Sequence, residues 1–176
     1  PDLDGGVAAL PSQEVIERYI GYSQSGLRPM IDFMGDRLTQ AQRAVLERVF
    51  ERHRAVMIQR GAHREHLTLI HGDSHTGNFL LPHQPHGRAY MIDRQPFDWS
   101  LTCWLGVSDL AYMMVHWWFP EVRRALEIPL LRRYLNQLHQ SGVQHYSWEQ
   151  LWFDYRLCAM QSFYVAVNWC CDDPPS

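Results

Sequence analysis

Between residues 67 and 92 the chain abandons the spacing it keeps on either side. Leu67-Thr68-Leu69-Ile70, Phe79-Leu80-Leu81 and Ala89-Tyr90-Met91-Ile92 are short apolar runs divided by stretches rich in Gly, Pro, His and Asp. That is the pattern of brief strands joined by turns, with 82–87 as a hairpin connection between the last two. Before it, Ala41, Val45, Val49 and Val56, with Leu46, Phe50 and Met57, recur at helical spacing from Thr39 to Arg60, and Gly61 is placed to end that helix. A shorter helix is expected from Ser12 to about Gly21, with Ser12 as its N-cap and Glu14 in its first turn. Beyond Ser108 the spacing is helical again, over 109–119, 121–140 and 148–170. Pro120 separates the first two of these helices, Pro129 is expected to kink the second, and Ser147 with Gln150 has capping-box spacing ahead of the third. The order is helices, a small strand cluster, then helices. It predicts an α+β fold that is mostly α.

Composition bounds the function. The chain has 176 residues, 46% of them hydrophobic and 20% charged, enough for one domain or lobe with a buried core. Sixteen basic against nineteen acidic side chains leave a formal charge of −3, which gives no reason to expect nucleic acid or an anionic membrane as partner. All sixteen basic residues are Arg; there is no Lys. Chemistry that needs a lysine, such as a Walker phosphate loop, a Schiff base or an ATP-holding lysine, is therefore incomplete within these residues. Cys103, Cys158, Cys170 and Cys171 lack CxxC spacing and read as reduced thiols of an intracellular protein. Neither a signal peptide nor an apolar run of membrane-spanning length is present, so a cytoplasmic location is expected. The absence of an initiator Met suggests a piece of a longer protein.

The most informative segment is His71-Gly72-Asp73-Ser74-His75-Thr76-Gly77-Asn78, followed fifteen residues later by Asp93. A strand delivers a polar loop carrying a carboxylate and, five positions on, an amide; a second short strand delivers another carboxylate. Phosphoryl transfer from ATP needs such a set. One carboxylate accepts the proton of the attacking hydroxyl, while an amide oxygen and a second carboxylate hold Mg²⁺ against the phosphates.

This octapeptide resembles the HxDxxxxN catalytic loop of the aminoglycoside phosphotransferase and choline kinase-like family, a branch of the protein-kinase-like fold. The Ile92-Asp93 pair and the segment Gly106-Val107-Ser108-Asp109-Leu110-Ala111 are similar to two further motifs of that family. The resemblance covers roughly residues 40–170. It implies Asp73 as catalytic base, Asn78 and Asp93 as Mg²⁺ ligands and ATP as co-substrate. It also implies His71 as a structural residue of the loop, and Asp109 as a helix cap that ties down the loop backbone. His75 could face the substrate hydroxyl. Arg94 stands where the family usually has an aromatic residue, and could pair with a phosphate or with a carboxylate. The family's amino-terminal lobe, with its phosphate-covering loop and lysine, is not in these residues. Residues 1–11, rich in Gly and Asp and closed by Pro11, read as a linker, and the resemblance implies a carboxy-terminal lobe over 12–176. Its acceptor would be a small-molecule hydroxyl, its partner the missing lobe, and the isolated chain a poor enzyme.

Two other readings compete. A truncated lobe could serve as a non-catalytic binding module. Alternatively, His71 and Asp73 with a distant His116, His139 or His145 could form the 2-His-1-carboxylate triad of an Fe(II) oxygenase; that chemistry usually sits on a many-stranded β-helix, whereas the chain after Ser108 reads as helix. Zinc through His63, His66, His71 and His75 lacks paired ligand spacing. The aromatic cluster around Trp117 and Trp152 reads as helix packing, with some rings available to an acceptor pocket. Residues 121–176 hold six acidic and five basic side chains. That balance favours an amphipathic or apolar alcohol over a polycationic aminoglycoside as acceptor.

Overall fold

A computed structural model of the chain describes residues 10–84, 86–94 and 101–171. Helices α1 (Gln13–Gly21), α2 (Leu27–Met34) and α3 (Gln40–Ala62) come first. Strands β1 (Leu67–Leu69), β2 (Phe79–Leu80), β3 (Tyr90–Met91) and β4 (Cys103–Leu105) follow, then helices α4 (Val107–Trp117), α5 (Pro120–Gln140) and α6 (Trp148–Asn168). The fold is mostly helical with two small antiparallel pairs, as an α+β chain dominated by α requires.

The helix starts follow local chemistry. Ser12 accepts the N–H of Val15 at the head of α1. Thr39 with Gln42, and Ser147 with Gln150, form reciprocal capping boxes on α3 and α6. In each, two otherwise orphaned N–H groups find acceptors. Pro120 is the first residue of α5, where its missing N–H is harmless. α5 runs through Pro129 as a single element.

Three features depart from the sequence expectation. α2 is an extra helix, and β4 an extra strand pairing with β1 in the register Leu67–Leu105, Thr68–Trp104 and Leu69–Cys103. Gly61 does not end α3 but lies buried inside it; a Cβ there would sit 3.0 Å from both the Pro11 carbonyl oxygen and Ile16 Cδ1, so the missing side chain is what lets α1 cross α3. The helix runs on to Ala62. The expected hairpin forms as β2–β3, with Phe79 opposite Met91 and Leu80 opposite Tyr90.

The main core lies where α4 packs on α6 and both meet α1, α3, α5 and the β1–β4 pair. Trp104, Met114, Leu131, Leu151 and Tyr164 are wholly enclosed there. Trp104 keeps its indole N–H satisfied by donating to Gln161 Oε1 at 2.8 Å. A smaller cluster of Met30, Ile31, Leu46 and Val167 fixes α2 against α3 and the end of α6. Buried His53 bonds the Tyr164 hydroxyl and the Leu157 carbonyl, both at 2.9 Å, and burial lowers its pKa, so it sits neutral between α3 and α6. All four cysteines are free thiols, and burial pushes the Cys158 thiol up. No helix among the described residues is long and apolar enough to cross a membrane.

Gly26 marks the tightest approach. A Cβ at this position would lie 2.1 Å from the Val167 carbonyl oxygen and 2.8 Å from Cys171 Sγ. Gly26→Ala should therefore cost about 1–3 kcal/mol by forcing α2 away from the end of α6. Thermal melting checks this, and an unchanged midpoint would mean that the two segments do not meet this closely in solution.

Candidate functional site

The ends of β1, the β2–β3 hairpin and the first turns of α4 converge on the segment 71–78. Asp109 organises it. Its Oδ2 accepts the His71 N–H at 2.8 Å, its Oδ1 accepts the Gly72 N–H at 3.0 Å, and its main-chain carbonyl accepts the Ser74 hydroxyl at 2.7 Å. Two N–H groups converging on one carboxylate make a strong, directional anchor. Gly72 turns the chain with φ +81°, a conformation other residues adopt only under strain. The expectation that Asp109 also caps its helix is corrected here: Gly106 is the N-cap of α4, and Asp109 is the third residue of its first turn, where its carboxylate reaches the loop.

His71 stitches the two halves of the site together. Its Nδ1 accepts the Asp73 N–H at 3.3 Å, which fixes the tautomer with the proton on Nε2, donated to the Ile92 carbonyl at 2.8 Å. Both ring nitrogens are thus engaged, leaving neither lone pair for a metal and disfavouring the Fe(II)-oxygenase triad. Among the described residues no three His, Cys, Asp or Glu side chains gather as a metal cluster. Of the other histidines weighed for zinc, His66 stacks on Tyr146 with ring centroids 4.4 Å apart.

Asp73 is about one-third exposed. Its Oδ1 accepts the Tyr112 hydroxyl at 3.0 Å, and its Oδ2 lies 3.4 Å from Asn78 Nδ2 and 3.7 Å from His75 Nε2. Asn78 is buried in a 3₁₀ turn (Thr76–Asn78), its Nδ2 donating to the Asp73 main-chain carbonyl at 2.9 Å. That assignment of its amide leaves Oδ1 as the atom it can offer a cation. The next residues hold Asp93 nearby, since the Ile92 N–H donates to the Asn78 carbonyl at 3.0 Å. Asp93 is exposed and sits at φ +63°, a left-handed conformation uncommon outside glycine. An amide oxygen and a carboxylate are hard donors that suit Mg²⁺, which takes few protein ligands and completes its shell with water and phosphate.

The remaining predicted residues divide. His75 stands beside Asp73, its Nδ1 accepting the Gly77 N–H at 3.0 Å, and its ring lies 5.1 Å from that of half-exposed Trp117. Arg94 Nε donates to the Ile70 carbonyl at 2.9 Å, so it clasps the end of β1. Trp152 is not brought to the loop; it stacks between Trp148 and Tyr155 in the packing of α6. Sequence reasoning missed Tyr112. Its signal was present: it follows Asp109 by three positions, on the same face of a helix whose other polar group already points at the loop.

A helical body that presents a loop-borne carboxylate, a buried amide and a second carboxylate just past a following strand fits the kinase-like proteins as a class. The family model described as the ecdysteroid kinase-like family matches residues 9–145, and the chain belongs to that family. The family is a protein-kinase-like one related to the choline kinase-like families, so the broad resemblance holds, with a different member as the match. The matched span includes every residue from Asp73 to Trp117 named above. No curated protein and no solved structure matches the chain.

Proposed function

We propose that the chain is the carboxy-terminal lobe, over residues 12–176, of an ATP- and Mg²⁺-dependent kinase that phosphorylates a small-molecule hydroxyl. The observation that carries this is the Asp73 carboxylate, held at one oxygen by Tyr112 and supported through its backbone by Asn78, on a loop pinned by Asp109. Membership of a kinase-like family supports it.

In this reading Asp73 accepts the proton of the acceptor hydroxyl as its oxygen attacks the γ-phosphorus, and the bond to the ADP oxygen breaks. The transition state is loose, so the protein contributes positioning and charge more than covalent chemistry. Asn78 Oδ1 and Asp93 are the residues that would hold Mg²⁺, which supplies charge neutralisation at the phosphates. His71 and Arg94 keep the two loops in register. The chain has no Lys, so a nucleotide-holding lysine would come from residues outside it. Leu69, Leu80, Leu81, Tyr90 and Met91 in and beside the strands are exposed, apolar side chains that an amino-terminal lobe would cover.

Trp117 beside His75 gives the site an aromatic edge suited to an amphipathic or apolar alcohol. The ecdysteroids of the family description are polyhydroxylated alcohols of that kind. A panel containing an ecdysteroid, choline and an aminoglycoside, each incubated with the complete protein, amino-terminal lobe included, and radiolabelled MgATP, tests the reading. Transfer to an alcohol supports it, with the ecdysteroid favoured; absence of transfer to every hydroxyl compound, together with Mg²⁺-independent nucleotide binding, would favour a binding module instead. Asp93→Ala should weaken Mg²⁺-dependent nucleotide binding about tenfold or more, the ~1.4 kcal/mol expected when one charged ligand is lost. Calorimetric titration reads this directly, and unchanged affinity removes Asp93 from the metal site.

A further inference from the structure

The two oxygens of the Asp73 carboxylate have unequal partners. Oδ1 receives a full hydrogen bond from the Tyr112 hydroxyl at 3.0 Å. Among the described residues, Oδ2 has longer contacts, 3.4 Å to Asn78 Nδ2 and 3.7 Å to His75 Nε2. A carboxylate rotates easily about its last bond, because that torsion has a broad, shallow profile. A donor fixed on one oxygen stops the rotation.

Tyr112 is well supported for that task. It rides on α4, the helix whose Asp109 carboxylate holds the backbone N–H groups of His71 and Gly72. Three positions apart, the two side chains share a helix face. One rigid helix thus grips the loop at its backbone and again at the end of Asp73. The Tyr112 ring is packed 4.6 Å from that of His116. Burial, reinforced by the adjacent Asp73 charge, pushes its phenol well above the ordinary range, so the hydroxyl remains a donor at every working pH.

We propose that Tyr112 is a positioning residue that, by donating to Oδ1, fixes the Asp73 carboxylate so that Oδ2 takes the proton of the acceptor hydroxyl. The inference rests on the kinase reading above and adds a residue to it. The proton passes from the acceptor O–H to Oδ2. The acceptor oxygen forms its bond to the γ-phosphorus while the bond to the bridging oxygen of ADP breaks, and Tyr112 keeps its own proton. A loose transition state draws more on where the base stands than on its strength.

Tyr112→Phe removes one hydroxyl and keeps the ring against His116. In the complete protein, amino-terminal lobe included, with MgATP and the alcohol turned over best in the panel above, it should lower kcat by about 10- to 100-fold, the scale on which a misplaced catalytic group acts. KM for ATP and the melting temperature should stay unchanged, a split that a merely structural tyrosine would not produce. Asp73→Asn is the reference. If Asp73→Asn abolishes turnover and Tyr112→Phe leaves kcat unchanged, the positioning role is overturned while the kinase reading stands. If Asp73→Asn keeps turnover, the base assignment itself falls, and the role of Tyr112 with it. A crystal structure of Tyr112→Phe supplies a readout independent of activity: more than one orientation of the Asp73 carboxylate is expected, and a single orientation unchanged from that described above would overturn the proposal.

Discussion

Asp73→Asn in the complete enzyme is expected to lower turnover by about 10²–10⁴-fold, the usual contribution of a positioned general base, with the fold intact. Asparagine has the same shape and keeps an oxygen to accept the Tyr112 hydroxyl, which lies 3.0 Å from Asp73 Oδ1. The loop itself is held by bonds that this change does not touch, namely Asp109 to the His71 and Gly72 N–H groups and Asn78 Nδ2 to the Asp73 main-chain carbonyl. What is lost is the capacity to take a proton. Steady-state phosphoryl transfer measured beside a thermal melt separates the two effects. Near-normal turnover would remove Asp73 as the base, and a large drop in melting temperature would show that its charge serves the fold.

The largest expected effect on stability lies elsewhere. Asp154 on α6 is almost fully enclosed and receives Arg60 Nε at 2.7 Å and Nη2 at 2.8 Å as a bidentate pair. Its Oδ2 also accepts the Tyr146 hydroxyl at 2.8 Å, and Arg60 reaches on to the Glu65 carbonyl at 3.1 Å. The pair therefore joins the end of α3, the turn before β1 and the start of α6. Arg64 and His66 in that turn have φ of +53° and +59°, conformations that persist only where the surroundings enforce them. Asp154→Ala leaves the Arg60 guanidinium and the Tyr146 hydroxyl without their acceptor and should cost about 3–5 kcal/mol. Denaturant unfolding monitored by circular dichroism reads that loss. Asp154→Asn, which keeps the shape and one acceptor oxygen, should cost less; equal losses in the two variants would mean that the charge, which both remove, holds the junction rather than the shape.

The local signals read well. Ser12, Thr39 and Ser147 stand at the heads of helices because a side-chain oxygen three positions before an N–H satisfies it without any tertiary help. The hairpin β2–β3 joins neighbours in sequence, so two short apolar runs around a Pro- and Gly-containing connection suffice to foresee it. β4 was missed because residues 103–105 carry no alternation of their own; they become a strand only by pairing with β1, more than thirty residues earlier. α2 was missed, since residues 27–34 lie in a stretch that holds Gly26, Pro29 and Gly35 and was given no helix. In the structure Gly26 precedes the helix and Pro29 falls in its first turn, where the absent N–H leaves no bond unmade.

For the site, the types and order of Asp73, Asn78, Asp93 and Asp109 were legible in the sequence, because that chemistry needs those groups near strand ends and at set spacings. That Asp109 would reach the His71 and Gly72 N–H groups, that Arg94 would clasp a main-chain carbonyl, and that Tyr112 would hold the Asp73 carboxylate are contacts across 24 to 39 residues. Spacing along a chain specifies which residues share a helix face or a turn. Which of them meet across the fold is decided by how α4 packs on α6 and on the strand pair beside it, and that packing is a property of the whole core.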